Sequence, residues 1–560
     1  MRKLTGRYAM MEQLVAEGVT HVFGNPGTTE QAFMDALQDY SQVQYILALQ
    51  ESIAVGVADG YARASGRPAF VQLHITPGLG NAMGMLYNSY RTRTPLVVYA
   101  GNHPQRGNSQ EPILAGDLVR LAEPLTKWAV EAQDASEIPL LLRRAFKTAA
   151  TPPRGPVFLS VPANVMDEES DSDIVARTPA DMRAHADPEA IDRVAQALLN
   201  ARMPIMICGD GVADSGGQDE LVQLAELTGA AVHSTFSAEL PFPSQHPQYA
   251  GLLNVVAPAM LKGQLSSADV LLAVGTSLMP LLFPIDESPF PEGATIIHID
   301  LDPWEIGKNW PVDIGLMADP RAALADINAR IRESRNDAYR EAAQKRAASV
   351  ESTSGQLLQA LELAAKGRWD NVPIGTGRMM SELGEAMAPD TLLFDESITA
   401  GGYLMRYLRF PDTGRHYRAT GGGLGPGVPN PIGIKLARPD RPVLSVVGDG
   451  AALYTIQGLW TAAHHKVPVT WVVANNRSYR ILKLNMLDYL GEGAAGRRFV
   501  EMDMEDPQLN FASIAESFGV KGARVEHPDE IGDAVREAQG SGEPRLIDIV
   551  IEGDVKSKWL

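Results

Sequence analysis

Gly448-Asp449-Gly450 is followed, after 24 intervening residues, by Asn475-Asn476, a spacing that can bring a carboxylate and a carboxamide to one place. Residues 442–447 are a short apolar run ending in glycines, 454–465 have helical character, and 467–474 form a second apolar run. That order predicts strand, helix, strand, and two parallel strands need a crossover of a dozen or more residues. Asp449 and Asn476 are therefore expected at the carboxyl ends of two parallel strands, the side on which α/β sheets bind ligands. Two hard oxygen donors would meet there. A second Gly-Asp-Gly, Gly209-Asp210-Gly211, also follows an apolar run, 205–208, but no Asn-Asn pair follows it. Gly-Asp-Gly alone is a common turn, and only the first copy has the context of a ligand site.

Three segments of the N-terminal region carry further candidates. Val22-Phe23-Gly24-Asn25-Pro26-Gly27-Thr28-Thr29-Glu30 reads as strand, tight turn and helix, with Thr28 able to cap the helix, which is also its bland reading. Tyr45-Ile46-Leu47-Ala48-Leu49-Gln50-Glu51 is an apolar strand that ends in a carboxylate at the mouth of a helix, where the macrodipole would favour any acid. Gln72-Leu73-His74-Ile75-Thr76-Pro77-Gly78-Leu79-Gly80-Asn81 places a histidine at a strand end before a Gly-rich loop. An imidazole there can carry protons or serve a structural hydrogen bond.

The elements that must hold these residues alternate in kind. Strands are expected at 20–24, 43–49, 69–74 and 95–100, and helices at 28–38, 52–65 and 81–90; the later parts of the chain follow the same plan. Such alternation predicts an α/β fold of doubly wound parallel sheets covered on both faces. Polar stretches at 167–187 and 334–354 divide the 560 residues into three expected domains, 1–166, 188–333 and 355–552. Cys208 is the only cysteine, so an intramolecular disulfide and a thiolate metal cluster are excluded. A formal charge of −19 argues against a nucleic-acid partner. No stretch approaches the roughly 20 apolar residues of a membrane span, and residues 1–14 lack a signal-peptide pattern. A cytoplasmic protein is expected.

Taken together, Asp449 to Asn476, Asn25-Pro26-Gly27-Thr28, Glu51 and His74 resemble the thiamine diphosphate (ThDP)-dependent 2-oxo acid decarboxylase and acetolactate synthase superfamily, and benzoylformate decarboxylases most closely in these motifs. The resemblance covers nearly the whole chain. Pro241-Phe242-Pro243 with His246-Pro247 looks like the same family, whereas His298-Ile299-Asp300-Leu301-Asp302-Pro303 and Glu305-Ile306-Gly307-Lys308-Asn309 look like acetolactate synthases. Glu396-Ser397 and Gly421-Gly422-Gly423-Leu424-Gly425 resemble cofactor-cradling segments of both.

The resemblance implies a pyrimidine-binding, a central and a diphosphate-binding domain. It implies that Glu51 bonds the aminopyrimidine and so activates the thiazolium carbon, that the Gly422 carbonyl accepts from the 4′-amino group, and that Leu424 props the bent cofactor. Gly448, Asp449, Gly450 and Ala451 would line the diphosphate, with Asp449, Asn476 and the Ser478 carbonyl on Mg2+, a donor set that suits this ion. The two halves of each site would come from different subunits, making a homodimer the minimum and a homotetramer the expectation. His74 would handle protons, and Thr28 stands where benzoylformate decarboxylases have a serine that orients the substrate carboxylate. Protonation and release of an aldehyde defines a decarboxylase or lyase; attack on a second carbonyl defines a carboligase.

Two departures bear on the substrate. Gly275-Thr276-Ser277-Leu278-Met279-Pro280-Leu281-Leu282-Phe283 lacks the second active-site histidine of benzoylformate decarboxylases. Arg477-Ser478-Tyr479-Arg480-Ile481-Leu482-Lys483 is more basic than a small aromatic acid needs; it is either a solvated helix face or a contact for an anionic tail such as a CoA phosphate. The latter keeps open a 2-hydroxyacyl-CoA lyase, beside an acetolactate synthase-type carboligase and an inactive ThDP-binding regulatory subunit. Relatives use the central domain for FAD or ADP, or leave it empty, and Asp300 or Asp302 could bond a ribose hydroxyl or cap a turn.

Overall fold

The computed structural model describes the chain except residues 1, 177–182, 255–256, 279–284, 495–496 and 556–560. Three parallel sheets with helices make up the fold. The first has six strands in the order Gln44–Leu47, His21–Gly24, Ala69–Leu73, Leu96–Asn102, Val157–Pro162 and Trp128–Glu131. The second runs Tyr249–Leu252, Ala231–Ser234, Pro204–Cys208, Val270–Val274, Thr295–Asp300 and Ile314–Met317. In the third, Leu392–Glu396, Val443–Gly448, Thr470–Asn475, Arg545–Val550 and Lys521–Val525 pair in that order, each parallel to the next. Central strands such as Ala69–Leu73, Val270–Val274 and Thr470–Asn475 are buried throughout, which is why they read as predominantly apolar runs. Among the described residues no helix is long and apolar enough to cross a membrane.

By contact density the chain forms two compact units. One unites 1–180, 369–404 and 421–560, and so holds the first and third sheets; the other joins 181–368 to 405–420. The return of 405–420 to the central sheet's unit had no signal in the sequence, because it rests on backbone bonds: Leu240 N–H donates to His416 O (3.2 Å) and Arg418 N–H to Ala238 O (2.8 Å).

Three local expectations need correction. The acidic stretch after residue 167 does not begin as a linker: Glu169–Ser172 pairs antiparallel with Arg2–Thr5, aided by a Lys3–Glu169 ion pair at 2.8 Å. The Gly-rich loop expected after His74 is the first turn of a helix, Ile75–Arg91; Pro77 lies in that first turn, where its missing N–H costs nothing. The basic stretch after Asn476 is not a solvated face. In the helix Arg480–Leu490, the Arg480 guanidinium donates to Glu552 O (3.2 Å) and Lys483 pairs with Asp503, their side chains only 14% and 10% exposed.

Candidate active site

At the third sheet, strand Val443–Gly448 delivers Asp449 and the adjacent strand Thr470–Asn475 delivers Asn476, with Gly448 opposite Ala474 in register. Asp449 is 3% exposed. Its Oδ1 accepts from Gly450 N–H (2.8 Å) and its Oδ2 from Arg477 N–H (2.6 Å), while Asn476 Oδ1 accepts from Ser478 N–H (2.9 Å). Burial pushes the Asp449 carboxyl up to about 6 despite these amides. A buried carboxylate with spare lone pairs, beside an amide oxygen, fits a hard cation that would restore its charged form. Asn475 instead donates to Asp548 (2.8 Å), so only the second asparagine of the pair faces the site. Ser478 is buried, and its hydroxyl donates to Met502 O (3.0 Å). Arg477, between them, has φ 55°, a backbone strain of the kind that collects at functional sites.

The decoy behaves differently. Asp210 Oδ1 accepts from Ala238 N–H (2.6 Å) and Glu239 N–H (3.1 Å), and Gly211 is small because a Cβ there would lie 2.6 Å from Gly275 Cα. It clamps one loop to another.

Glu396 ends the neighbouring strand and holds the glycine loop. Its Oε1 accepts from Gly425 N–H (2.7 Å) and its Oε2 from Gly427 N–H (2.5 Å). Gly422 (φ 86°) and Gly425 (φ 114°) give the loop the backbone turns that only glycine takes readily, and Leu424 between them is half-buried. Burial raises the Glu396 carboxyl to about 8, outweighing the two amides. Since the folded state favours the protonated form, this contribution is complete below the ordinary 4.5 and is lost as pH rises through about 8. The apo-protein is expected to melt at lower temperature as pH climbs through that window, with a flatter profile in Glu396→Gln. Matching profiles would acquit Glu396.

The first sheet supplies a second cluster. Glu51 starts the helix Glu51–Ser65, whose N-cap Gln50 accepts from Ser52 N–H (2.7 Å); Glu51 is 7% exposed and its Oε2 accepts from Asn81 Nδ2 (3.1 Å). His74 lies beside it: a Cβ on Gly78 would fall 2.8 Å from Glu51 Oε1 and 3.2 Å from His74 Cβ. Gly27 packs on the other side, where a Cβ would overlap His74 Nδ1 at 1.9 Å, so this glycine admits the imidazole as well as making the turn. Thr28 is exposed and opens the 3-10 turn Thr28–Glu30 without a side-chain capping bond, contrary to the cap expected for it. With Pro26, Gly27, Gln31 and Met34 it borders an open cavity of about 540 Å³.

Glu30 went unrecognised in the sequence. It is fully buried, its Oε2 lies 2.9 Å from His74 Nδ1, and its Oε1 accepts from Thr29 Oγ1 (2.7 Å) and Gly101 N–H (2.9 Å). A carboxylate oxygen accepts, so Nδ1 is the nitrogen that donates to Glu30 and Nε2 is turned to other partners. The available signal was an acid three residues before Phe33, on the helix face that enters the core.

In the central sheet, Asp300 Oδ1 accepts from Asp302 N–H (2.8 Å) and Asp302 Oδ1 from Trp304 N–H (3.0 Å), which are turn caps. His298 Nε2 lies 2.9 Å from Thr276 O. Part of the segment without the second histidine, 279–283, falls outside the described residues.

Known proteins match this arrangement. Models of thiamine pyrophosphate enzymes match in three places: the N-terminal TPP binding domain at residues 4–120, the central domain at 191–327 and the C-terminal TPP binding domain at 399–549. The chain is 30% identical to benzoylformate decarboxylase of Pseudomonas aeruginosa, over 97% of this chain and 98% of that one. It is 27% identical to the acetolactate synthase large subunit of Haemophilus influenzae, over 96% and 92%. The structure of the Rhodococcus jostii thiamine diphosphate-dependent 4-hydroxybenzoylformate decarboxylase superposes with a TM-score of 0.86 at 27% identity, covering 98% of this chain and all of that one. With three sheets, three matched domains and relatives aligned end to end, the chain belongs to the thiamine pyrophosphate enzyme family, in its decarboxylase and acetolactate synthase branch.

Proposed function

We propose that this enzyme is a ThDP- and Mg2+-dependent 2-oxo acid decarboxylase of the benzoylformate decarboxylase type, with carboligase capability. The observation that carries the reading is the His74–Glu30 pair beside Glu51 across Gly78. A proton carrier oriented by a buried carboxylate, next to an acid at a helix mouth, suits a reaction that ends in protonation and release. When bound, the cofactor supplies the nucleophilic carbon and the electron sink. Asp449, Asn476 and the Ser478 carbonyl would hold Mg2+ against the diphosphate, bordered by Gly448, Gly450 and Ala451. Glu51 would hold a proton at the pyrimidine end, the Gly422 carbonyl would accept from its amino group, and Leu424, fixed through Glu396, would set the angle between the rings. Thr28 would orient the substrate carboxylate.

Helix geometry supports a site shared between two copies of the chain. His74 caps the helix Ile75–Arg91, and Asn88 of that helix bonds Gly423 of the same chain (2.9 Å). At 1.5 Å per residue, His74 and the loop carrying Leu424 lie about 20 Å apart within one chain, too far to flank one cofactor. A homodimer is the smallest assembly that completes the site, and a dimer of dimers is consistent with it.

With Arg480 and Lys483 paired inward, the basic stretch gives no support to a CoA tail.

The test is product analysis with benzoylformate, pyruvate, branched 2-oxo acids and 2-hydroxyacyl-CoAs. Carbon dioxide and aldehyde in equal amounts from a 2-oxo acid are expected. Carbon dioxide without aldehyde would make the enzyme a carboligase first, turnover of thioesters alone would overturn the decarboxylase reading, and no turnover of any would favour a regulatory subunit. In the same assay His74→Ala is expected to lower kcat about 10²-fold or more while leaving ThDP bound. Equal kcat would make His74 structural.

A further inference from the structure

The run Gly421-Gly422-Gly423 invites the view that all three residues are small to admit a ligand. Two of them are small because a side chain of the helix Ile75–Arg91 sits on them. A Cβ on Gly421 would lie 2.3 Å from Asn88 Oδ1, and one on Gly423 would lie 3.0 Å from Asn88 Nδ2; at Gly422 there is open space. Asn88 Nδ2 donates to Gly423 O (2.9 Å), and its Oδ1 accepts from Gly423 N–H (3.1 Å). One carboxamide thus satisfies both backbone groups of the residue before Leu424, as a neighbouring strand would.

Asn88 is 4% exposed and lies on the fourth turn of the helix that His74 caps, so the tie is made from a rigid element. Glu396 makes the matching tie on the other side of Leu424, through Gly425 and Gly427. Further along, Asn430 Nδ2 donates to Asp59 Oδ1 (2.8 Å) on the Glu51–Ser65 helix, where Gly60 lets the two backbones meet.

We propose that Asn88 is a positioning residue for Leu424: its carboxamide brackets Gly423 and fixes where the leucine stands. The inference rests on the reading above, in which Leu424 sets the cofactor's conformation, and it deepens that reading by placing the control of one half-site in the pyrimidine-binding part of the same chain. Asn88 touches neither substrate nor cofactor in this scheme.

The experiment compares wild type with Asn88→Leu, which keeps the branched shape and removes both bonds, and with Asn88→Ala, which serves if the leucine variant fails to fold. The first readout is hydrogen–deuterium exchange of the full-length apo-protein. Amides of 419–428 are expected to exchange about tenfold faster or more in the variants, with 51–65 and 443–448 unchanged. The second readout uses the holoprotein. Deuterium exchange at the cofactor's C2 is expected to slow by about tenfold, while retention of ThDP and Mg2+ on dialysis stays at the wild-type level. Unchanged exchange at 419–428 would overturn the tie, and a loosened loop with unchanged C2 exchange would overturn the positioning role. A wild-type enzyme with no faster C2 exchange than free ThDP would instead fail the functional reading, and the loop amides would still decide whether Asn88 holds Gly423.

Discussion

Glu51→Gln is expected to cut turnover by about 10²- to 10⁴-fold, the range a positioned acid or base contributes. The substitution conserves volume in a site that is 7% exposed, and an amide oxygen can still accept from Asn81 Nδ2. Gln50 still caps the helix through Ser52, so the fold has no reason to change. What disappears is the carboxyl group that the proposed function places at the pyrimidine end. On the proposed function the diphosphate end would rest on Asp449 and Asn476, carried by another sheet, so ThDP and Mg2+ retention should match wild type. Deuterium exchange at the cofactor's C2 should fall with turnover, which separates failed activation from failed substrate binding. Undiminished turnover would sink the assignment of Glu51, and with it the family's activation chemistry in this chain.

How much of this was readable beforehand follows from the range of the forces involved. Strand ends at Gly24, Leu73, Gly448 and Asn475 were legible because parallel strands are buried on both faces and stop at glycine, proline or polar residues. The 24-residue crossover placed Asp449 and Asn476 at neighbouring strand ends because a parallel connection admits few alternatives. Side-chain partners distant in sequence were not legible. Glu30 meets His74 from 44 residues away, and Asn88 meets Gly423 from 335 residues away. Nothing local to either residue announces its partner. Local rules misled where a tertiary contact outvoted them: Pro77 and Gly78 read as a loop but form a helix turn, because Gly78 must be small beneath Glu51 and His74. The charges of Arg480 and Lys483 read as solvated, since Glu552 and Asp503 are 72 and 20 residues away.

The two Gly-Asp-Gly turns allow a paired experiment with the second large effect. Asp449→Ala is expected to weaken Mg2+-dependent ThDP retention by about 10²-fold or more, on the scale of removing one partner from a buried, charge-assisted contact. The carboxylate is 3% exposed and held up to about 6 by burial, so in the apo-protein its charge is poorly compensated. On the proposed function a divalent cation would supply the compensation, and alanine would offer it nothing. Asp210→Ala removes an equally motif-like acid whose Oδ1 accepts from Ala238 and Glu239 N–H. It should lower the melting temperature and leave ThDP retention unchanged. Dialysis and calorimetry on both variants therefore separate a metal ligand from a loop clamp. Wild-type affinity in Asp449→Ala would remove Asp449 from the metal, whereas parallel losses in both variants would mean that retention reports folding. The contrast is sharp because both aspartates follow a buried strand and precede a glycine; what differs is whether a strand ending in Asn475-Asn476 runs alongside.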